Sequence, residues 1–135
     1  MSQENVEVVR ELYEAFNRGE LDAYLWMLDP DFVWQGPQEI PDLAGTYRGA
    51  EGVRRYLSEL MEVFNDYRMV PEEFIDAGGE QVLVLAREGG RGKGSGIAVQ
   101  TNPTGHLWTI RDGRPARLES YWERTNALRA VGLAE

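Results

Sequence analysis

His106 is the one histidine of the sequence and the residue best suited to acid/base chemistry. An imidazole ring can accept or release a proton near neutral pH. Side chains alternate along an extended strand, so His106, Trp108 and Ile110 share one face, which carries no charge. We predict that His106 is catalytic, as a base or as a hydrogen-bond donor in an apolar pocket. The alternatives are a core histidine bonded to a backbone carbonyl, or an exposed one beside Pro103.

Ser120 is the polar residue nearest to this face on the following strand. Alternation groups it with Leu118 and Trp122, away from the charged side chains of the same stretch. If the two strands pair with Ser120 opposite His106, a hydrogen bond between them would orient the imidazole. A nucleophilic pair is less well supported, because no nucleophile elbow or oxyanion-hole motif accompanies it.

The candidate substrate-binding residues are mostly bulky and apolar. They are Phe16, Trp34, Tyr56, Trp108, Leu118, Ser120 and Trp122. Such rings would form the walls of a flat pocket for a ring-shaped or polyketide-like molecule. Aromatic residues at this spacing are also typical of an ordinary core. Glu39 and Asp42 could supply a carboxylate to His106, or could be solvated loop charges.

Composition excludes several classes of function. The chain has no cysteine, and Asp29 and Asp31 lack convergent partners, so we expect no metal and no cofactor. Fourteen Lys and Arg residues against 23 Asp and Glu residues give a net charge of −9, which repels nucleic acid and anionic lipid. The sequence has neither an apolar run of about 18 to 20 residues nor a leader-like start. We therefore expect a cytoplasmic protein that binds a small apolar molecule.

The 135 residues suffice for one domain, which we place at 1–135. Helical periodicity predicts three helices in the first half, at 2–18, 21–28 and 49–66. A period of two predicts strands at 31–35, 67–75, 81–87, 96–110 and 116–123. The glycine-rich stretch 88–95 is predicted to be a flexible hairpin tip, with a bulge at 102–105 and a last short helix at 126–131.

Helices followed by a run of antiparallel strands are typical of an α+β domain. We predict three N-terminal helices packed on a strongly curved, mostly antiparallel sheet that forms a cone with an internal pocket. The polar side chains of the last strand would then face solvent or a second copy of the chain. These are Arg117, Glu119, Tyr121 and Glu123.

Both ends of the chain resemble the SnoaL-like branch of the nuclear transport factor two-like superfamily. The first match is the run YEAFNRGELD from Tyr13, followed by WMLDPD from Trp26. The second is HLWTIRDGR from His106, followed by ESYWER and ALRAVGL. The resemblance implies the cone fold, a homodimer through the outer sheet face, and one of several activities. These include isomerases, cyclases, hydrolases, dehydratases and non-catalytic binding modules.

The resemblance also shows departures from the family's catalytic residues. Steroid isomerases of this superfamily use an aspartate base with a tyrosine and a protonated aspartate. The matching positions here are Gly36 beside Gln35, Leu12 and His106, so that activity is not expected. The aspartate that the cyclases and epoxide hydrolases place on the last strand falls at Ser120.

Three functions follow from these observations. The first is a cofactor-independent enzyme that isomerises, cyclises or hydrolyses an apolar carbonyl or ring compound, with His106 at its centre. The second is a binding module without catalysis. The third is a dimeric association domain whose pocket is filled by Trp34 and Trp108.

Overall fold

The computed structural model describes residues 2–92 and 102–133. The first half holds three helices and two short strands: α1 (Ser2–Asn17), α2 (Leu21–Met27), β1 (Val33–Gln35), β2 (Thr46–Arg48) and α3 (Gly49–Val63), with a 3-10 turn at Pro41–Leu43. The second half holds four long strands and a short helix: β3 (Phe64–Gly78), β4 (Gln81–Gly92), β5 (Asn102–Arg111), β6 (Arg114–Tyr121) and α4 (Arg124–Ala130). None of the helices in these ranges is long and apolar enough to cross a bilayer.

The six strands form one sheet in the order β2-β1-β6-β5-β4-β3. Among the strands of residues 2–92 and 102–133, β1 and β6 run parallel and the other neighbours are antiparallel. The pairing of β3 with β4 shifts register at three places, and such bulges bend and twist a strand. The sheet is curved and open, and α1, α2 and α3 pack on one face of it, which confirms the predicted α+β cone.

The two faces of the sheet are both packed, as alternation along the strands requires. Val82, Val84 and Trp108 lie in the main core under the first three helices. Leu83 and Leu107 lie on the opposite face, where α4 covers them through Ala127. The outer face is therefore not left entirely to solvent or to a second copy, because α4 occupies the part over β4 and β5.

The predicted hairpin tip is wrong for its first five residues. Residues 88–92 continue β4 and pair with β3, with Gly89 opposite Arg68. A Cβ at Gly90 would lie 2.7 Å from the carbonyl oxygen of Asn65, so this glycine allows the strands to approach closely. The rest of the tip, and the start of the strand predicted at 96–110, lie outside the described residues.

The bulge predicted at 102–105 is also wrong. Residues 102–109 pair with β4 without a shift, and β5 changes register only on its β6 side, between Thr109 and Ile110. Residues 102–105 are of types that are common in turns, but here they continue the strand. The residues before and after Pro103 pair with β4 and hold Pro103 in an extended conformation. The pairing of neighbouring strands therefore outweighs the preference of these residues for a turn.

Candidate active site

A cavity of about 220 Å³ lies between the sheet, α3 and the loop that follows β1. Its wall includes Pro37, Ile40 and Leu43 of that loop. The aromatic side chains around it are Trp34, Tyr56, Phe64, Tyr67, Tyr121 and Trp122. Glu88 is the one charged side chain among the described lining residues. The part of the lining that the structure describes is thus apolar and aromatic, with a single carboxyl group.

Glu88 reaches this position through the alternation of β4. Counting back from it by twos gives Ala86, Val84 and Val82, which all lie in the main core. Glu88 is the fourth side chain on this face, so it also points into the protein, where it is 8% exposed. Burying a carboxyl group is unfavourable unless hydrogen bonds compensate for lost water.

Three side chains donate hydrogen bonds to the Glu88 carboxyl group. Nε2 of His106 lies 2.6 Å from Oε2, and the Thr104 hydroxyl donates to the same oxygen at 2.7 Å. The Tyr67 hydroxyl donates to Oε1, also at 2.7 Å. Burial alone would raise the pKa of the Glu88 carboxyl, but the attraction of His106 and these hydrogen bonds hold it below its ordinary value of 4.5. Glu88 is therefore a carboxylate at neutral pH.

His106 is held on its other side by Tyr13 and Trp108. Nδ1 of His106 lies 2.6 Å from the Tyr13 hydroxyl oxygen, which accepts a hydrogen bond from the Trp108 indole N–H at 2.9 Å. An indole can only donate, so the Tyr13 oxygen accepts from Trp108; an ionised carboxylate can only accept, so the Nε2–H of His106 donates to Glu88. Trp108, Tyr13, His106 and Glu88 are thus joined in one chain of hydrogen bonds.

The Ser120 hydroxyl belongs to a second chain. Ser120 does lie opposite His106 in the ladder, which meets the condition for the predicted hydrogen bond. The predicted hydrogen bond between them is wrong, because the Trp34 indole N–H donates to the Ser120 oxygen at 2.8 Å. Both ring nitrogens of His106 are occupied by Tyr13 and Glu88.

The structure divides the predicted site residues into two groups. Trp34, Tyr56, Ser120 and Trp122 line the cavity. Phe16, Trp108 and Leu118 do not; they lie in the packed core, where Trp108 contacts the Tyr13 ring and Phe16 contacts the Tyr24 ring. His106 does not line the cavity either, since Glu88 stands at the wall and His106 bonds to it from within the protein. Trp108 is thus not a plug in the pocket.

Sequence reasoning missed Glu88 and Tyr13. The glycines that follow Glu88 predict a loop there, although the period of two that begins at Val82 continues through Glu88. The motif match placed Leu12 at the family's tyrosine position, whereas Tyr13 supplies the hydroxyl that meets His106. The apolar stripe of α1 that includes Tyr13 was the available signal.

Glu39 does not supply the carboxylate of His106. Its Oε2 accepts hydrogen bonds from the Glu123 backbone N–H at 3.2 Å and from the Asn126 side chain at 3.0 Å. These bonds tie the cavity loop to the beginning of α4. Burial acts to raise the pKa of Glu39, and the hydrogen bonds outweigh it, so the pKa lies below its ordinary value.

The cavity loop also depends on Gly36. Its N–H donates to the Gly45 carbonyl at 2.8 Å, and a Cβ here would overlap the carbonyl oxygen of Leu43. The family's base position therefore holds a residue whose small size lets the loop fold over the cavity. In the described ranges, no group of three or more acidic or histidine side chains is placed to hold a metal.

Comparison with known proteins shows which family has this architecture. Residues 9–118 match the model of the SnoaL-like domain. The chain belongs to the SnoaL-like family. A crystal structure of an NTF2-like protein of unknown function from Burkholderia pseudomallei is 30% identical to this SnoaL-like chain, covers 98% of it and 99% of its own length, and has a TM-score of 0.79.

Two further solved structures are similar to this SnoaL-like protein. TerC, co-crystallised with polyporic acid, is 26% identical, covers 95% of this chain and 98% of its own, and has a TM-score of 0.78. A candidate polyketide cyclase from Sinorhizobium meliloti is 25% identical, covers 84% of this chain and 93% of its own, and has a TM-score of 0.66. No curated protein matches the sequence.

Proposed function

We propose that this SnoaL-like protein is a cofactor-independent acid/base enzyme of the isomerase, cyclase or hydrolase type. Its substrate is an apolar ring or carbonyl compound, and Glu88 is the group that exchanges a proton with it. The observation that carries this proposal is one ionised carboxylate presented to an aromatic cavity by hydrogen bonds from His106, Thr104 and Tyr67. His106 becomes a positioning residue, because Glu88 stands between its ring and the cavity.

The hydrogen bonds that Glu88 accepts from the described residues leave it able to act as a base. Each carboxylate oxygen offers about two lone-pair positions. Oε2 receives His106 and Thr104, whereas Oε1 receives only Tyr67 among the described residues. The open position on Oε1 can therefore accept a proton or a hydrogen bond from a ligand.

The proton transfer balances without a further reactant. A C–H bond next to a carbonyl breaks, an O–H bond forms on Glu88, and the electron pair moves to the carbonyl oxygen to give an enolate. Return of the proton to another atom completes an isomerisation. In a cyclisation the enolate carbon bonds to a second carbonyl carbon, and Glu88 returns the proton to the alkoxide that forms there. In a hydrolysis Glu88 would accept a proton from water as its oxygen bonds to the carbonyl carbon, and would return that proton to the leaving group as the bond to this group breaks.

The size of the cavity suits a small ring system. A cavity of about 150 Å³ admits benzene, so about 220 Å³ suits one or two fused rings. Two relatives agree with small-molecule chemistry on this fold: TerC was crystallised with polyporic acid, and another similar structure is a candidate polyketide cyclase.

The test is deuterium exchange at carbon 2 of 1-indanone in D2O, followed by NMR. We expect exchange above the buffer rate with the natural protein, and a loss of about 100-fold or more in Glu88→Gln. Glu73→Gln is the matched control, because Glu73 is exposed on β3. Equal exchange by the natural protein and Glu88→Gln contradicts the proposal.

Ligand binding without catalysis is the second candidate function. The lowered pKa of Glu88, in which His106 and hydrogen bonds outweigh burial, makes this carboxylate a weak base, and this observation favours a binding role. Saturable binding of 1-indanone with no exchange at carbon 2 would establish the binding module instead.

We also propose a homodimer through the part of the outer sheet face that α4 leaves uncovered. Arg117 and Glu119 of β6 lie there as an ion pair at 3.5 Å, whereas Tyr121 packs against the cluster that α4 covers. Opposite charges on one strand can pair with their copies across a twofold axis. Sedimentation at micromolar concentration should give a dimer that Arg117→Glu weakens; a monomer contradicts the proposal.

A further inference from the structure

The cavity contains a further polar group on a different strand from Glu88. Trp34 and Ser120 lie on neighbouring strands, directly paired through Leu118, and both line the cavity. Trp34 is 1% exposed, and its ring is fixed against Tyr56 with the ring centres 4.8 Å apart. Its indole N–H points at the Ser120 oxygen over 2.8 Å.

This hydrogen bond determines what Ser120 can offer to a ligand. A serine hydroxyl has one hydrogen to donate and two lone pairs that accept. The indole N–H occupies a lone pair, and no acceptor for the Ser120 hydrogen occurs among residues 2–92 and 102–133. The hydrogen is therefore free for a molecule in the cavity. Donation from Trp34 also polarises the hydroxyl and strengthens it as a donor.

Glu88 and Ser120 flank the cavity across one strand. Glu88 is on β4 and Ser120 on β6, with β5 between them. Ser120 pairs with His106, which pairs with Val84, so Glu88 lies four residues further along β4. At about 4.8 Å per strand and about 3.3 Å per residue, the two backbones are roughly 16 Å apart before side chains extend inward. The Glu88 side chain leans back toward His106, so a ring that lies obliquely over β5 can meet the Glu88 acceptor at one edge and the Ser120 donor at another.

We propose that Ser120 is a catalytic residue that donates its hydroxyl hydrogen to a carbonyl oxygen of the ligand, with Trp34 as its positioning residue. This inference rests on the proposed function and narrows its substrate class to ring ketones that carry a removable proton on the side facing Glu88. When Glu88 removes that proton, negative charge develops on the carbonyl oxygen, and the bond from Ser120 strengthens. The Ser120 proton stays on serine, so the charge balance of the step is unchanged.

The test is infrared spectroscopy of 1-indanone labelled with carbon-13 at the carbonyl. A hydrogen bond lowers the carbonyl stretching frequency, and a purely structural role of Ser120 would not change it. We expect a lowered frequency in the natural protein, a return to the value in an apolar solvent for Ser120→Ala, and recovery in Ser120→Thr. Affinity should fall by about tenfold in Ser120→Ala, equivalent to about 1.4 kcal/mol for one hydrogen bond.

Trp34→Phe keeps an aromatic ring but removes the donor, and should give an intermediate frequency. Tyr56→Phe should leave the frequency unchanged, although Tyr56 also lines the cavity. An unchanged frequency in Ser120→Ala, a shift that depends on Tyr56 instead, or no binding of 1-indanone overturns the inference. A lowered frequency without deuterium exchange supports the Ser120 contact and rejects catalysis by Glu88, so the two failures are distinguishable.

Discussion

Glu88 and His106 are joined by a 2.6 Å hydrogen bond although they are not partners in the β4–β5 ladder. Glu88 pairs with Asn102, and His106 pairs with Val84. Both side chains lie on the same face and lean toward the pair between them, Ala86 and Thr104. The Thr104 hydroxyl then completes the contact with the same carboxylate oxygen. Two strands thus place a base and its support on a rigid element, as a precise site requires.

We predict that Tyr13→Phe destabilises the protein by about 1–3 kcal/mol, because it leaves the Trp108 N–H and the His106 Nδ1 buried without their partner. Tyr24→Phe is the matched control: Tyr24 is equally buried, and its hydroxyl has no hydrogen bond within the described ranges. Urea unfolding measures both variants. Equal losses of stability in the two would show that the Tyr13 hydroxyl is not part of a working chain.

We predict that Thr104→Val raises the pKa of Glu88, since one of the hydrogen bonds that outweigh burial is lost. NMR titration of the Glu88 carboxyl carbon measures this shift. Because the folded pKa lies below the unfolded one, Glu88 stabilises the fold above pH 4.5, and this contribution is lost as the pH falls through the folded pKa. Thr104→Val should lose less stability over that acid range; identical acid curves would contradict the role of Thr104.

We predict that the buried tyrosines resist ionisation at alkaline pH. Burial, and then the negative charge of Glu88, raise the pKa of Tyr24, Tyr56 and Tyr67 above the ordinary value of 10.0. The folded state keeps protons that the unfolded chain loses, so stability falls as the pH rises above 10.0. Ultraviolet titration should show tyrosinate forming together with the loss of helical circular dichroism. Full ionisation of a still folded protein would contradict this.

We predict that Gly36→Ala opens the cavity loop, because the added methyl group meets backbone at Leu43 and the loop must move. The expected cost is about 1–3 kcal/mol of stability, with weaker binding of 1-indanone. Gly45→Ala is the control, since a Cβ at Gly45 is 3.7 Å from the nearest atom, the Tyr47 hydroxyl oxygen. Similar binding by both variants would mean that the loop does not close the cavity.

The fold followed largely from periodicity. The change from a period of 3.6 to a period of 2 separates α3 from β3, although the sequence places it after residue 66 and β3 already begins at Phe64. The inward face of β5 and β6 follows from alternation alone. β2 was missed because its three residues have no period of their own and pair only with β1. Glycines near Glu88 suggested a loop, whereas long-range pairing with β3 keeps that stretch extended.

The site was less predictable than the fold. Its histidine was identifiable because the sequence has only one. Its partners were not, because the contact of Tyr13 with His106 joins residues 93 positions apart, and the Trp34–Ser120 bond joins residues 86 positions apart. Alternation assigns a face to each side chain, but it does not say which of the side chains on that face are covered by α1 and which reach the cavity.

The most direct test of the central claim is whether the cavity presents an ionised Glu88 to its ligand. Calorimetry at neutral pH should compare 2-naphthol with naphthalene, which differ by one hydroxyl, in the natural protein and in Glu88→Leu. We predict that the natural protein prefers 2-naphthol by at least about tenfold, because a hydrogen bond to a charged group contributes about 1.5–3 kcal/mol. Glu88→Leu should lose that preference. Equal affinity of the natural protein for both compounds, or the same preference in Glu88→Leu, would contradict the account.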